Sequence, residues 1–198
     1  MPWWGVLSAA AGLVFLVGGS AVATALQPPS FNWLASTVST LTERGAADPW
    51  VMTGVFAVTG ACEMATALAL RPAAMPGRLI LAAAGAASVL VAANPEHVGG
   101  SPAHGLWAGV TFTALIAWPT GAWRRGALVP WGLRSAVSAA AAATLLALLA
   151  WYLMELTTKG GMTGLAERVM GTAEVAWPLA VVLSCRRPVK QRPPGASP

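Results

Sequence analysis

The chain contains six apolar segments that are each long enough to cross a lipid bilayer. A membrane-crossing helix needs about 20 consecutive, mostly apolar residues, because the hydrocarbon core is about 30 Å thick. The segments span about residues 4–26, 50–70, 78–93, 103–123, 136–156 and 165–184. Turn-forming pairs such as Pro28-Pro29 and Gly160-Gly161 separate them. The pattern predicts an all-α integral membrane protein over residues 1–185, a six-transmembrane-helix bundle with short loops.

Charged residues are scarce in this sequence. They make up 10% of the 198 residues, whereas a soluble domain carries about 25%, so little chain is left for a domain outside the membrane. The net charge of +5 does not predict nucleic-acid binding, because the basic residues lie at segment ends and in the tail. The first apolar segment lacks a cationic start, which favours a retained helix over a cleaved signal peptide.

The basic residues also predict the orientation of the bundle. If both termini are inside, nine of the twelve Lys and Arg residues lie on the cytoplasmic side, and only Arg44, Lys159 and Arg168 lie outside. This asymmetry follows the positive-inside rule. We therefore predict a multi-pass protein of a bacterial or archaeal plasma membrane with both termini cytoplasmic. Residues 186–198 are basic and rich in proline, which predicts a disordered cytoplasmic tail.

The second and the last apolar segments carry charged residues that need a partner inside the bundle. Glu167, Arg168 and Glu174 interrupt the last segment, and Glu63 lies deep within the second. A charge in hydrocarbon costs about 2.5 to 3.5 kcal/mol on insertion scales, so such residues normally face the protein interior. Glu167 and Glu174 are seven residues apart and project from nearly the same face of a helix. These residues predict a polar pocket, open to the outer leaflet, in which a buried acid binds a ligand, moves a proton or only holds the bundle together.

The predicted outer side also holds the histidines His97 and His104, Glu155, and a Ser/Thr-rich stretch that includes Ser39. We expect His104 and Glu155 to line the same polar pocket. A serine beside a histidine is the pairing that nucleophilic hydrolysis of a lipid ester or amide requires, although serines in such stretches also cap helices. No Gly-x-Ser-x-Gly motif is present. The histidines and cysteines do not have metal-ligand spacing, so neither a metal nor a cofactor is predicted.

Four tryptophans, Trp107, Trp118, Trp151 and Trp177, fall within apolar segments. Trp107, Trp151 and Trp177 are candidate binding residues. Indole rings inside a bundle usually pack against other helices or lie at the membrane interface. Aromatic faces next to a buried acid would also suit an isoprenoid cyclase. In such an enzyme Glu63 or Glu174 would protonate an alkene, and the indoles would stabilise the resulting cation.

Several stretches together resemble the DUF998 family of prokaryotic polytopic membrane proteins. They are residues 36–41 (Ser-Thr-Val-Ser-Thr-Leu), the pair Asn94-Pro95 with His104, residues 164–168 (Gly-Leu-Ala-Glu-Arg) and residues 176–179 (Ala-Trp-Pro-Leu). The short family motif of a serine, an acid and a leucine has Thr40 at its acidic position here. The resemblance implies a membrane fold and topology, and the family has no assigned activity.

These features lead to three functional hypotheses. The leading one is a membrane protein that binds a membrane lipid or another amphipathic ligand in the polar pocket. The second is a membrane-embedded enzyme, either a lipid hydrolase using Ser39 and His104 or an acid-initiated isoprenoid cyclase using Glu63 or Glu174. The third is a structural or accessory subunit, in which the buried charges should pair internally. The sequence predicts no particular oligomeric state.

Overall fold

The computed structural model describes residues 1–186, which form helices joined by turns and loops. The α-helices are α1 (Trp3–Ala25), α2 (Pro49–Ala69), α3 (Met75–Ala93), α4 (Pro102–Ala122), α5 (Ser135–Thr158) and α6 (Thr163–Ser184). Two short 3₁₀ turns, Ser39–Thr42 and Trp131–Leu133, lie between them. No strand occurs in this part of the chain, which confirms the all-α prediction. The predicted tail lies outside the described residues from residue 187 onward.

Proline and serine residues fix where several helices begin. Pro49, Pro76 and Pro102 occupy the first or second position of α2, α3 and α4, where the missing N–H would have no partner within the helix. Ser101 caps α4, because its hydroxyl accepts a hydrogen bond of 3.3 Å from the backbone N–H of His104. This cap sets the first turn of α4 and thereby the position of the His104 ring.

Four of the helices, α1, α2, α3 and α5, are each long and apolar enough to cross a membrane. The helices α4 and α6 have similar lengths, 21 and 22 residues, but are not among these four. Large apolar side chains also lie on the outer surface, and Val14, Leu68 and Leu146 are each more than half exposed. A soluble protein rarely exposes apolar surface on this scale. The chain is therefore a membrane-embedded protein.

Successive helices run in opposite directions, so the molecule has two ends. At the first, the backbone N–H of Ala74 donates to the carbonyl of Ala122, and Gly132 lies against Ser184. We call this the basic end, because it holds the described arginines Arg71, Arg78, Arg124, Arg125, Arg134 and Arg186. At the other end, which we call the site end, the backbone N–H of Leu165 donates to the carbonyl of Leu34 at 3.0 Å.

Two glycines set the crossing of α2 and α3. A side-chain carbon added at Gly60 would collide with the carbonyl of Gly85, and one added at Gly85 would collide with the carbonyl of Gly60. Small residues of this kind let membrane helices approach until their backbones touch. The crossing places Thr59 and Glu63 of α2 close to Ser88 of α3, and all three side chains are buried.

The connection between α1 and α2, residues 26–48, is longer than the predicted short loops. It folds over the site end instead of projecting from it, since Leu41 and Thr42 are only 1% and 2% exposed. Gln27 ties its two ends together, because the side-chain nitrogen donates to the carbonyl of Ala47 and the side-chain oxygen accepts from the N–H of the same residue. This connection carries Ser39.

Candidate functional site at the site end of the bundle

Ser39 and His104 meet at the site end. Ser39 begins the 3₁₀ turn that follows α1, and His104 lies in the first turn of α4. A hydrogen bond of 3.0 Å joins the hydroxyl oxygen of Ser39 to Nε2 of His104. His104 is only 2% exposed, and Phe56 packs against its ring in a T-shaped arrangement. The structure thus brings together the two residues of the hydrolase hypothesis.

The other ring nitrogen of His104 indicates which tautomer the pair needs. Nδ1 lies 2.9 Å from the carbonyl oxygen of Asn94. A carbonyl oxygen can only accept a hydrogen bond, so Nδ1 must carry a proton and donate it. In the neutral ring, Nε2 is then unprotonated and accepts a hydrogen bond from the Ser39 hydroxyl. In this arrangement a histidine can act as a general base toward a serine.

Two carboxylates flank the pair. Glu96, which follows α3, places its Oε2 at 3.8 Å from His104 Nε2. Glu167 of α6 accepts a hydrogen bond from the backbone N–H of Val38, and its Oε1 lies 3.3 Å from the Ser39 hydroxyl oxygen. The cluster therefore combines one serine, one histidine and two acids that come from four separate parts of the chain.

The Ser39 hydroxyl has one proton and two neighbouring acceptors, His104 and Glu167. When Ser39 donates to His104, a protonated Glu167 can donate to the Ser39 oxygen. When the ring is protonated on both nitrogens, it donates to Ser39, and Ser39 donates to the ionised Glu167. The two states contain the same number of protons and differ in whether one proton resides on Glu167 or on His104. The geometry therefore suits proton transfer through a serine hydroxyl.

A groove between α4 and α5 leads to this cluster. It has a volume of about 420 Å³, within the range of about 300 to 1,000 Å³ that small-molecule pockets occupy. Its polar end is lined by Ser39, Glu96, His104 and Glu167, and its apolar walls by Phe112, Leu149, Leu153 and Leu156. Gly105 and Gly109 keep the α4 side open, since a side-chain carbon at either position meets no atom within 4 Å.

Arg168 bonds to backbone carbonyls and so holds the α1–α2 connection in place. Its Nη1 donates to the carbonyls of Trp33 and Ser36, both at 2.9 Å, and to that of Gly164 at 3.0 Å. A guanidinium presents several N–H donors in a fixed geometry, which suits a group of carbonyls better than an ammonium would. Arg168 thereby fixes the segment from which Ser39 reaches His104.

A second cavity, with a volume of about 80 Å³, lies deeper in the bundle and is lined by residues of α1, α2, α3, α4 and α6. We call it the inner cavity. Glu63 and Glu174 line it and are only 4% and 1% exposed. Among the described residues, Glu63 Oε2, both carboxylate oxygens of Glu174 and the hydroxyl of Thr59 have no hydrogen-bond partner. Ser39 and Glu167 line both the groove and the inner cavity, so they form a wall between the two.

A comparison with known protein families covers nearly all of the described chain. The family model described as "Protein of unknown function (DUF998)" matches residues 9–184. The chain belongs to the DUF998 family. The comparisons with curated proteins and with solved structures give no match. Membership of DUF998 confirms the resemblance found in the sequence and assigns no activity.

Some predicted site residues of this DUF998 chain lie away from both spaces. Glu155 is near the end of α5, where its Oε2 accepts a hydrogen bond of 3.1 Å from the N–H of Met162 and closes the turn to α6. Trp177 packs against Trp131 in a T-shaped arrangement. Trp107 and Trp151 are partly buried, and neither lines the groove or the inner cavity. None of the three candidate tryptophans therefore lines the inner cavity together with Glu63 and Glu174.

Two parts of the DUF998 site were not among the predicted site residues. Glu96 and the Asn94 carbonyl both contact His104, and both belong to the loop between α3 and α4. The only sequence signal for them is a short polar stretch next to a histidine, which does not tell which group turns toward the ring. The open α4 side of the groove depends on Gly105 and Gly109, which in sequence look like ordinary small residues of a membrane helix.

Proposed function

We propose that this DUF998 protein binds a lipid-like amphiphile in the groove between α4 and α5, with the polar head of the ligand at Ser39 and His104. The observation that carries the proposal is the shape and lining of the groove. One end is polar and buried, and the walls are apolar along two neighbouring helices. An amphipathic ligand has the same division into a polar head and an apolar chain, so head and chain match the two parts of the groove.

The groove also suits a ligand that arrives from the membrane. Leu153 and Leu156 of α5 line it and are 45% and 46% exposed, so its walls continue into the outer apolar surface of the helix. An acyl chain leaving the bilayer for such a groove gains little free energy, because lipid tails are as apolar as leucine side chains. Selectivity must then come from the polar end, where hydrogen bonds and charge distinguish one head group from another.

The charges at the polar end favour an uncharged or cationic head group. Glu96 and Glu167 line the groove, and no Lys or Arg occurs among its described lining residues. A phosphate without a compensating cation would face two carboxylates in a low-dielectric setting, where like charges repel strongly. A hydroxyl or ammonium group could donate hydrogen bonds to the same carboxylates and to Ser39. We therefore propose a neutral lipid or an amine-bearing lipid as the ligand class.

We further propose that all six helices cross the plasma membrane of a bacterial or archaeal cell, with both termini in the cytoplasm. The clustering of arginines at the basic end supports this orientation through the positive-inside rule. The site end then lies near the outer leaflet. Fusions of a periplasmic or cytoplasmic reporter to each connection would test the orientation. Activity of an externally active reporter fused to the connection between α2 and α3 would contradict it.

Lipid retention can be tested by native mass spectrometry of the full-length protein, purified in a mild detergent and offered diacylglycerol, phosphatidylethanolamine and phosphatidylglycerol in turn. We expect bound diacylglycerol or phosphatidylethanolamine in the wild type and at least about tenfold less in Gly109→Leu, whose side chain would fill the groove. Gly54→Leu is the matched control, because Gly54 is an exposed helical glycine of α2 with no atom within 4 Å of an added side-chain carbon. Equal retention by the two variants, no retained lipid, or retention of phosphatidylglycerol alone would reject the proposal.

Hydrolysis of the bound lipid is a second candidate function, and the tautomer of His104 specifically favours it. In that reaction the Ser39 oxygen would attack an ester carbonyl while His104 Nε2 takes the hydroxyl proton. His104 would then return this proton to the departing alcohol, and water would release the acyl group from Ser39 by the same steps. Binding remains the leading proposal, because hydrolysis also needs hydrogen-bond donors that stabilise an oxyanion. The backbone N–H of Val38, next to Ser39, already donates to Glu167 and is not free for that role.

A lipophilic fluorophosphonate, which labels activated serines covalently, can test the hydrolase candidate. We expect labelling of the wild type, its loss in Ser39→Ala and a rate at least about tenfold lower in His104→Gln. Ser36→Ala is the control, because Ser36 lies in the same connection and lines neither the groove nor the inner cavity. Labelling that is unchanged in Ser39→Ala, or absent from the wild type, would reject hydrolysis and leave the binding proposal to its own test.

A further inference from the structure

We infer that the inner cavity binds a sodium ion between Glu63 and Glu174. The inference does not depend on lipid binding in the groove. It starts from the position of the two carboxylates, which are almost completely buried and line one cavity. When both are ionised, two like charges share this one small space. Two such groups need a positive charge or protons between them, because desolvation of unpaired carboxylates is expensive.

The described side chains that line the inner cavity leave Glu63 and Glu174 without a paired cation. Arg168 is the basic residue among those that line the inner cavity, and its Nη1 is bound to the carbonyls of Trp33, Ser36 and Gly164. Glu167, which also faces the cavity, carries the opposite charge to Arg168 on the neighbouring position of α6. When Glu167 is ionised, it offsets the charge of Arg168, and Glu63 and Glu174 then remain as the uncompensated pair.

The groups that face the inner cavity match the ligands of a hard cation. Among the described residues that line this cavity, the buried side-chain atoms without a hydrogen-bond partner are oxygens of Glu63, Glu174 and Thr59. The Ser88 hydroxyl lines the same cavity, and because its proton is donated to the Phe56 carbonyl, its lone pairs are free to coordinate. No nitrogen or sulfur ligand occurs among the described lining residues, which disfavours zinc and copper. Thr59 is only 3% exposed, so its hydroxyl is a buried polar group independent of the two acids.

The size of the inner cavity and its ligand number favour sodium over a divalent ion. Calcium takes about six to eight oxygen ligands, and magnesium keeps several waters because it dehydrates reluctantly. Protein side chains offer four unpartnered oxygens here: one of Glu63, two of Glu174 and one of Thr59. The volume of about 80 Å³ has room for a small ion and a few waters, since one water needs a cavity of about 10 to 15 Å³.

Thermal unfolding of the full-length protein in detergent tests the sodium site. Tryptophan fluorescence is followed in choline chloride, NaCl, KCl, MgCl₂ and CaCl₂ at one ionic strength and one pH. For the wild type we expect a saturable rise in Tm with NaCl and a smaller rise with KCl, because a ligand that binds only the folded state stabilises it. For Glu63→Gln and Glu174→Gln we expect no NaCl-dependent rise. Glu43→Gln, outside the cavity, should respond as the wild type does.

Binding of ²²Na⁺ to the purified protein provides a measurement that does not depend on unfolding. The glutamine variants should fold, because replacing a buried carboxylate by an amide removes the repulsion between the two acids. Sodium binding at least about tenfold weaker in both variants supports the site. A wild-type Tm that is the same in NaCl and choline chloride, or a response to divalent ions alone, would overturn it. So would ²²Na⁺ binding that both glutamine variants retain.

Discussion

The hydroxyl of Ser39 lies 3.0 Å from Nε2 of His104, although 65 residues separate the two in sequence. The pair forms because the connection after α1 folds over the site end and the first turn of α4 points at it. Residues outside the pair hold each of the two side chains in position. Arg168 bonds the connection that carries Ser39, and the Asn94 carbonyl holds the ring of His104.

Removing the serine hydroxyl should destabilise the protein. In Ser39→Ala, Nε2 of the buried His104 loses its partner, and an unsatisfied buried polar atom costs about 1 to 3 kcal/mol. We expect a loss of this size in the free energy of unfolding, measured by denaturant titration in mixed micelles. Thr157→Ala should change the free energy by less than about 0.5 kcal/mol, because Thr157 is exposed and bonds only to carbonyls of its own helix. Similar losses in both variants would contradict the described role of the pair.

Replacing Arg168 should loosen the α1–α2 connection. Hydrogen bonds that involve a charged group contribute about 1.5 to 3 kcal/mol when well formed, and Arg168 makes several to this connection and to α6. In Arg168→Gln we expect hydrogen exchange of residues 33–42 to rise at least about tenfold while the centres of α2 and α3 keep their protection. Arg44→Gln is the control, since Arg44 is exposed in the same connection. Unchanged exchange in Arg168→Gln would show that other contacts hold the segment.

Adding one methyl group at the α2–α3 crossing should be costly. Gly60→Ala would force the new carbon against the carbonyl of Gly85, and overpacking of this kind costs about 1 to 3 kcal/mol. Gly54→Ala on the same helix should instead be neutral or stabilising by up to about 1 kcal/mol, because alanine is the better helix former and the position is open. The two free energies of unfolding, measured side by side, should therefore change in opposite directions or differ by more than 1 kcal/mol.

Glu167 should tolerate an amide better than a methyl group. In Glu167→Gln the side-chain oxygen can still accept from the Val38 N–H, and the amide can donate to Ser39 as a protonated carboxyl would. We expect stability within about 1 kcal/mol of the wild type, whereas Glu167→Ala should lose about 1 to 3 kcal/mol. The ¹⁵N shifts of His104 should also report a neutral ring in Glu167→Gln. A doubly protonated ring in this variant would contradict the proton exchange inferred between Glu167 and His104.

The helical class could be predicted from the sequence because the cost of placing polar groups in hydrocarbon leaves few alternatives. The apolar runs around Val14, Leu68 and Leu146 indicate membrane helices without any knowledge of their neighbours. The pairing of Ser39 with His104 could be proposed from residue type and side of the membrane. Its tautomer could not, because that depends on the Asn94 carbonyl. Hydropathy measures transfer into lipid and contains no information on which backbone group a side chain meets.

Sequence patterns do not identify tertiary contacts, which is why the contacts of two residues, Glu155 and Arg168, could not be predicted. The sequence predicts Glu155 in the pocket because it is an acid on the predicted outer side. In the structure the turn at Gly160 and Gly161 brings the Met162 N–H to its carboxylate instead. Arg168 had no acid one turn away on its own helix, and backbone carbonyls from a distant loop satisfy it. Local spacing predicts partners within a helix, whereas these partners are set by how a 23-residue connection between Ala25 and Pro49 folds.

Ser39 and Glu167 separate the groove from the inner cavity, and this shared boundary has a thermodynamic consequence. A head group that forms a hydrogen bond with the Ser39 hydroxyl would remove a hydrogen bond from Glu167. The change at Glu167 would alter the electrostatic potential at an ion bound next to Glu174. If a ligand in the groove changes the affinity of the inner cavity for the proposed ion, linkage requires the ion to change the affinity of the groove by the same factor. Ser39 and Glu167 would in this way couple the binding of a lipid to the binding of an ion, without movement of any helix.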